Sequence, residues 1–439
     1  MQKTGKAFDG QADRMPSITD ANVTEGFVTM RACIRLAIIL SAGLAGNSVR
    51  GQATLSEWRA FRGNNGDAIS ADRGLPLTWS ATQNMIWKTD LPGAGTSTPV
   101  VVGNNVFVTC YSGYNVPGKP RGRQEDLKLH LICLDRDTGK IRWSRDVAPR
   151  LPEQDSIRDG HGYASSTPVA DDSHVFVFFG KTGVIGFDHS GRELWRADVG
   201  TNLHGWGSGA SLLLSSNQVF VNASVESGRL VALDKATGKE NWSLGGIRES
   251  WNTPILANAA GRTELVIAIQ GKVLGVDPQA GRQLWSCATD IPWYMVPSLV
   301  AHDGIVYAIG GRPGGGLAVK LGGSGDVTRT HRLWTSNKGG NVSSPIVYDG
   351  HLYWMHDNLG VAFCAEAATG KVVYEERLSR AGQVYGSPIL AEGRIYYPGR
   401  DGQTYVVAAK PQFELMATNS FGERGTYNAS PAVAGGRLF

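Results

Sequence analysis

From residue 97 to residue 439, short apolar runs alternate with small polar breaks at a nearly fixed interval. Each unit opens on a small polar residue, usually beside a proline. Two runs of β-branched and aromatic residues then flank a Gly, Asp or Asn turn. The copies are STPVVVGNNVFV (97–108), STPVADDSHVFVF (166–178), NTPILA (252–257), VPSLVAHDGIVYAI (296–309), SSPIVYDGHLYW (343–354), GSPILAEGRIYY (386–397) and ASPAVAGGRLF (429–439). Such pairs predict β-hairpins. A third apolar run and a fourth segment ending near an aromatic residue complete each unit. Four short antiparallel strands per unit predict a β-propeller blade. No stretch has the 3.6-residue period of an amphipathic helix, which excludes a helical solenoid.

The spacing sets the count. Pro254 and Pro297 stand 43 residues apart, as do Pro345 and Pro388, and Pro388 and Pro431. Pro168 and Pro254 are 86 apart, and GASLLLSSNQVFV (209–221) fills the unit between them without its proline. Blades opening at Pro99, Pro168, Ser211, Pro254, Pro297, Pro345, Pro388 and Pro431 predict a single eight-bladed propeller over residues 79–439. That count requires residues 209–242 to form a sheet of their own.

Between the third and fourth runs one string recurs, most fully as ALDKATGKENW (232–242). Its relatives are CLDRDTGKIRW (133–143), FDHSGRELW (187–195), GVDPQAGRQLW (275–285) and CAEAATGKVVY (364–374). Asp and Thr side chains bond to nearby backbone in tight turns, and a glycine such as Gly238 supplies positive φ. Trp143, Trp195, Trp242, Trp285 and Trp334 are expected to end the outer strands and dock on the neighbouring blade's turn, with Tyr374 and Phe413 as substitutes. At the ends, MIWKTDLPG (85–93) reads as an outer strand with no blade before it, and ASPAVAGGRLF as an inner hairpin. Together they predict a composite last blade closed by the N-terminal strand and truncated at the C-terminus. Residues 54–78 form a lead-in. Its Asn/Asp/Gly cluster lacks the alternating carboxylates of a calcium loop and reads as a turn.

Composition narrows the class. The 57 glycines among 439 residues are well above average usage and suit a turn-rich β protein. A net charge of +4, with the densest basic cluster KPRGRQED (119–126) carrying both signs, excludes a nucleic-acid-binding stripe. MRACIRLAIILSAGLAG (30–46) has two arginines, a short apolar core and small residues after it, the outline of a signal peptide over residues 30–53. Residues 1–29 then read as an upstream extension. The mature chain is expected to be periplasmic or secreted, with no transmembrane span. Cys110, Cys133, Cys287 and Cys364 are far apart and contain no C-x-x-C, so buried thiols are expected and no metal site. G-x-S-x-G, P-loop, H-E-x-x-H and dinucleotide fingerprints are absent.

The string A-x-D-x-x-T-G-K-x-x-W resembles the tryptophan-docking pattern of the quinoprotein alcohol dehydrogenase-like, or PQQ-like, propellers, and 232–242 fits it at every fixed position. Blades this short after a signal peptide are most similar to the propellers related to BamB, the outer-membrane assembly scaffold. The enzymes of this superfamily hold pyrroloquinoline quinone over two adjacent disulfide-bonded cysteines, with calcium on a Glu, an Asn and an Asp. This chain has no Cys-Cys and no C-x-x-C-H. The resemblance therefore implies a non-catalytic, cofactor-free interaction or assembly scaffold of the cell envelope, with a protein or peptide partner. The alternative is a PQQ- and calcium-dependent dehydrogenase of an alcohol or sugar, with Glu249 and Asn252 as ligands.

One pattern marks a face where a partner could sit. Aromatic residues recur beside small ones just before the inner strands: Tyr163, Trp206, Trp251, Trp293, Tyr294, Tyr385 and Tyr427. In a propeller these loops ring the mouth of the central channel, where aromatics either pack on one another and plug it or present a peptide- or ligand-binding face. Glu249, Asn252, Asn341 and Asn428 add polar groups there, and the insertion 111–128 opens on the same face.

Overall fold

The computed structural model describes residues 56–439 apart from 260, 313, 359, 380 and 424. The expected upstream extension (1–29) and expected signal peptide (30–53) lie outside the described residues. Among the described residues seven sheets, each built on four antiparallel strands in chain order, follow one another along the chain, and an eighth holds the two strands Val433–Ala434 and Arg437–Leu438. Residues 209–242 do make their own sheet, running from Leu213–Leu214 to Glu240–Gly245. The burial of its strands shows why the sequence is layered. Gln218–Ala223 and the core of Arg229–Asp234 are buried on both faces between neighbouring blades, whereas Glu240–Gly245 alternates toward solvent. Doubly buried strands read as continuous apolar runs, and half-buried ones alternate.

The recurring string has a geometric cause. Thr237 gives both its amide and its hydroxyl to the Asp234 carboxylate, at 2.9 and 2.7 Å, closing the turn. Directly before it the ladder slips by one residue, between Ala232 and Leu233, and the same bulge occurs at Cys133, Gly186, Gly275, Ala318 and Cys364. The residue paired with the aromatic is small in each of these sheets: Ala232 faces Trp242, Cys133 Trp143, Gly186 Trp195 and Ala318 Trp334. A bulge sharpens the local twist, and the small partner leaves room for the ring to swing toward the next blade.

There it meets a glycine. A Cβ on Gly238 would lie 2.4 Å from Trp195, one on Gly281 2.5 Å from Trp242, and one on Gly370 2.6 Å from Trp334. Each indole then donates to a carbonyl of that turn: Trp143 to His189 at 3.0 Å, Trp195 to Lys235 at 2.9 Å, Trp242 to Pro278 at 3.0 Å and Trp334 to Ala367 at 2.9 Å. Trp285 departs from the set. It is fully buried, and its indole donates at 2.8 Å to the Glu264 carboxylate of its own sheet. The next sheet lacks the D-x-x-T-G turn; residues 321–331 replace it with a loop, a strand at Gly325–Asp326 and one helical turn.

A second set of ties lies at the channel. The backbone amides of Thr98, Thr167, Ser211, Thr253, Ser298, Ser344 and Ser387 each donate to the hydroxyl of the next residue in that series, ending on Ser430, at 2.8 to 3.1 Å. These are the small polar residues that open each unit. The sequence pattern is therefore a hydrogen-bonded series that passes from sheet to sheet, from Thr98 to Ser430.

The segment around Trp87 is joined to the ring by its side chain. No strand is formed over residues 85–91, in contrast to the expected N-terminal closing strand, yet Trp87 docks on the first blade's turn through Arg136 O at 3.0 Å. Between this segment and the last hairpin lies a groove of about 780 Å³ lined by Trp79, Ile86, Tyr396 and Leu438, so its backbone finds no ladder partner there. The lead-in crosses the opposite end of the channel from the aromatic loops. Trp58 exchanges backbone bonds with Val101, and Ile69–Ser70 pairs in parallel with Leu390–Ala391. Phe61 lines both the channel and an outer cavity of about 630 Å³, dividing the two. The buried Arg62 guanidinium anchors this turn on Gly66 O at 3.0 Å and on Pro345 O.

Candidate functional site

At the mouth the predicted aromatics separate into groups. Trp206, Trp251, Trp293 and Tyr294 form one cluster. Tyr294 is its hub, with ring centroids 5.4 Å from Trp206, 5.6 Å from Trp251 and 5.4 Å from Trp293. Trp251 is buried and donates its indole N–H to Gly207 O at 2.9 Å, so its main role is to hold the Trp206 loop. Tyr294 is buried as well, at a positive φ of 67°. Trp293 is the most exposed of the group at 37%. Tyr163 belongs elsewhere, edge-on to Tyr111 at 5.3 Å and beside Tyr114, with its hydroxyl on Gln154 O at 2.7 Å. It joins the insertion 111–128 to the loop 151–165. Tyr385 lies under the Arg400 guanidinium at 4.1 Å, and Tyr427 covers Gly402, whose Cβ would be 2.7 Å away.

Trp206, Trp251, Tyr294 and Tyr385 wall a cavity of about 150 Å³ that Phe61 and the Ser/Thr ring bound from below. His161 contributes a polar wall: its ring nitrogens sit 2.5 Å from Ser165 Oγ and 2.5 Å from Trp206 O. Sequence reasoning missed His161, the arginines stacked on the rings and Phe61. Their only linear signal is proximity to aromatics that are themselves scattered over 250 residues.

Beneath the mouth lie two carboxyls. Glu226 is buried, hydrogen-bonded to Ser208 Oγ, and loss of solvent pushes its pKa up to about 7. Burial likewise raises Glu153 to about 7, although its neighbour Lys181 opposes the shift. The backbone carbonyl of Glu226 accepts from Asn202 N at 3.0 Å, which ties Glu226 to the segment leading into the Trp206 loop.

The two residues proposed as ligands do not make a calcium site. Asn252 is fully buried, and its amide nitrogen is spent on Ser250 Oγ at 3.0 Å, Ala268 O at 2.7 Å and Met295 O at 3.1 Å. Its oxygen accepts from Ala268 N at 3.3 Å, which fixes the inner strand. Among the described residues no group of three or more His, Cys, Asp or Glu is placed to hold a metal ion. The four described cysteines are buried and unpaired, so no adjacent disulfide offers a floor for a quinone. This donor set does not fit quinone and calcium.

Comparison with known proteins gives the frame a family. A family model described as outer membrane protein assembly factor BamB matches residues 128–360 and, overlapping, 323–412. The chain belongs to this PQQ-like propeller family. A search of curated proteins by sequence finds no match. Among solved structures the PQQ-like fold recurs in BamB from Moraxella catarrhalis, 15% identical over 78% of this chain and 89% of that one, with a TM-score of 0.57. It recurs in the computationally designed Ika8 protein, 15% identical over 77% and 91%, TM-score 0.53. Quinohemoprotein alcohol dehydrogenase from Comamonas testosteroni is 14% identical over 80% and 77%, TM-score 0.50. At such identities the likeness carries the fold alone, since one fold hosts many functions. Among the described residues of this PQQ-like propeller no helix is long and apolar enough to cross a membrane.

Proposed function

We propose that the protein is an exported, non-catalytic scaffold of the cell envelope that holds a protein partner on its channel-mouth face. The observation that carries this reading is the cluster around Tyr294: a partly exposed Trp206 and an exposed Trp293 are fixed on buried aromatic supports. Rigid aromatic surface with a polar rim is what binding hot spots use. The family's description as an assembly factor supports a protein partner.

The test uses the purified chain. A Trp206→Ala, Trp293→Ala double variant should keep its melting temperature and lose an envelope protein that the unaltered chain captures and that mass spectrometry identifies. Pyrroloquinoline quinone with calcium should leave the melt unchanged. A ligand at 100 times its Kd stabilises by about 2.7 kcal/mol, so a clear upward shift with dye-coupled alcohol oxidation overturns the scaffold reading.

A further inference from the structure

Two guanidinium groups lie over the Trp206 ring. Arg158 Cζ stands 5.2 Å from its ring centroid and Arg312 Cζ 5.0 Å. Arg312 also lies 4.5 Å over Tyr294, touching that hydroxyl at 3.5 Å, and its buried Nε has no acceptor among the described residues. Elsewhere the arginines of this chain mostly meet carboxylates, as Arg150 meets Asp198 and Arg332 meets Asp290. Arg158 and Arg312 form no ion pair with a described side chain. Stacking fixes the plane of a guanidinium and leaves its edge donors pointing outward, a geometry matched to a carboxylate. Two like charges against one indole also repel, and an anion between their edges relieves that repulsion.

We infer that this face takes an acidic segment of its protein partner, with an Asp or Glu carboxylate bridging Arg158 and Arg312 beside Trp206 and a neighbouring aromatic residue resting on Trp293. The inference rests on the mouth being the binding face and adds the chemistry of what binds. A nucleic-acid phosphate would meet the same donors, but the chain's net charge is only +4.

The probe is a fluorescein-labelled octapeptide of glutamates with two tryptophans, read by anisotropy against the full chain, with glutamine and lysine analogues and a single-stranded oligonucleotide as comparisons. The glutamate peptide should bind at least about tenfold tighter than the glutamine analogue. Raising salt from about 50 to about 300 mM should weaken it. Arg158→Gln and Arg312→Gln should each weaken it by about tenfold, Arg312→Lys by less, with unchanged melting temperatures. Arg150→Gln, whose partner is Asp198, should leave binding unchanged. Equal binding of the glutamate and glutamine peptides, indifference to both arginines, or tighter binding of the oligonucleotide overturns the inference. Binding of both peptides that vanishes in Trp206→Ala but ignores the arginines keeps the face and overturns its acidic chemistry. Absence of any peptide binding overturns the acidic chemistry while the capture experiment still judges the face.

Discussion

Two glycines with nearly the same backbone offer a controlled measurement of blade docking. Gly238 has φ +71° and Gly271 φ +70°, yet a Cβ on the first would lie 2.4 Å from Trp195 while a Cβ on the second meets nothing within 4 Å. Alanine at either position costs roughly 1–2 kcal/mol for the left-handed conformation. About 0.4–1 kcal/mol of that is offset by a stiffer unfolded chain, leaving about 1 kcal/mol for Gly271→Ala. Gly238→Ala must also displace the indole. That breaks the Trp195 bond to Lys235 O, 2.9 Å long, which contributes about 1 kcal/mol. It also disturbs the stacking on Phe176 at 5.5 Å, which contributes about 1 kcal/mol more. The expected total is about 3 kcal/mol, roughly three times the control. Equilibrium urea unfolding followed by tryptophan fluorescence reads the difference as a shift in midpoint at constant slope. Equal midpoints for the two variants would refute the idea that the glycine of the repeated turn exists to admit the neighbour's indole.

Two further outcomes follow from buried titratable groups. Glu226 has its pKa raised from 4.5 to about 7 by burial, so the native state binds the proton more tightly than the unfolded one and stability falls as pH rises from about 4.5 through about 7. Melting temperatures of Glu226→Gln against pH should lack that share of the decline, and an identical slope would refute it. Desolvation pushes the Cys133 thiol up to about 12 and Cys364 to about 11, and both are buried. A thiol reagent at about pH 8 should therefore modify them only at the rate of unfolding, and fast stoichiometric labelling of the native protein would contradict the packing.

The strand order was legible because burial on two faces leaves a continuous apolar run, and 43-residue spacing repeats it. The position of Ser211, lacking its proline, still forms its blade because the hydroxyl, rather than the proline ring, makes the inter-blade bond. What the string could not convey is a change of partner. GVDPQAGRQLW looks like its relatives, but Trp285 turns to Glu264 because the following sheet has no turn to receive it, a fact lying some 40 residues downstream. The mouth was half legible for a similar reason. Aromatics beside glycine and serine mark the loops, yet only the fold shows that Tyr163 packs on the insertion or that Trp206 carries both Arg158 and Arg312 over its ring. Asn252 illustrates the opposite error: a polar residue at the mouth in sequence is a strand anchor in space.

The hydroxyl series and the docked indoles grip most of the blades at two radii, one beside the axis and one at the rim, the Trp285 junction being tied at the rim through Glu264 of its own sheet instead. A single tie would act as a pivot and let a blade rock; two ties at different radii remove that freedom. The loops at the mouth therefore keep the distances set by the frame, and a molecule settling on them meets a preset template rather than a surface that must first be ordered. Ordering cost is the term that preorganised surfaces save on association. Recognition there is then governed by spacing, so a partner whose side chains fall between the fixed aromatic positions gains nothing from waiting for the propeller to adjust.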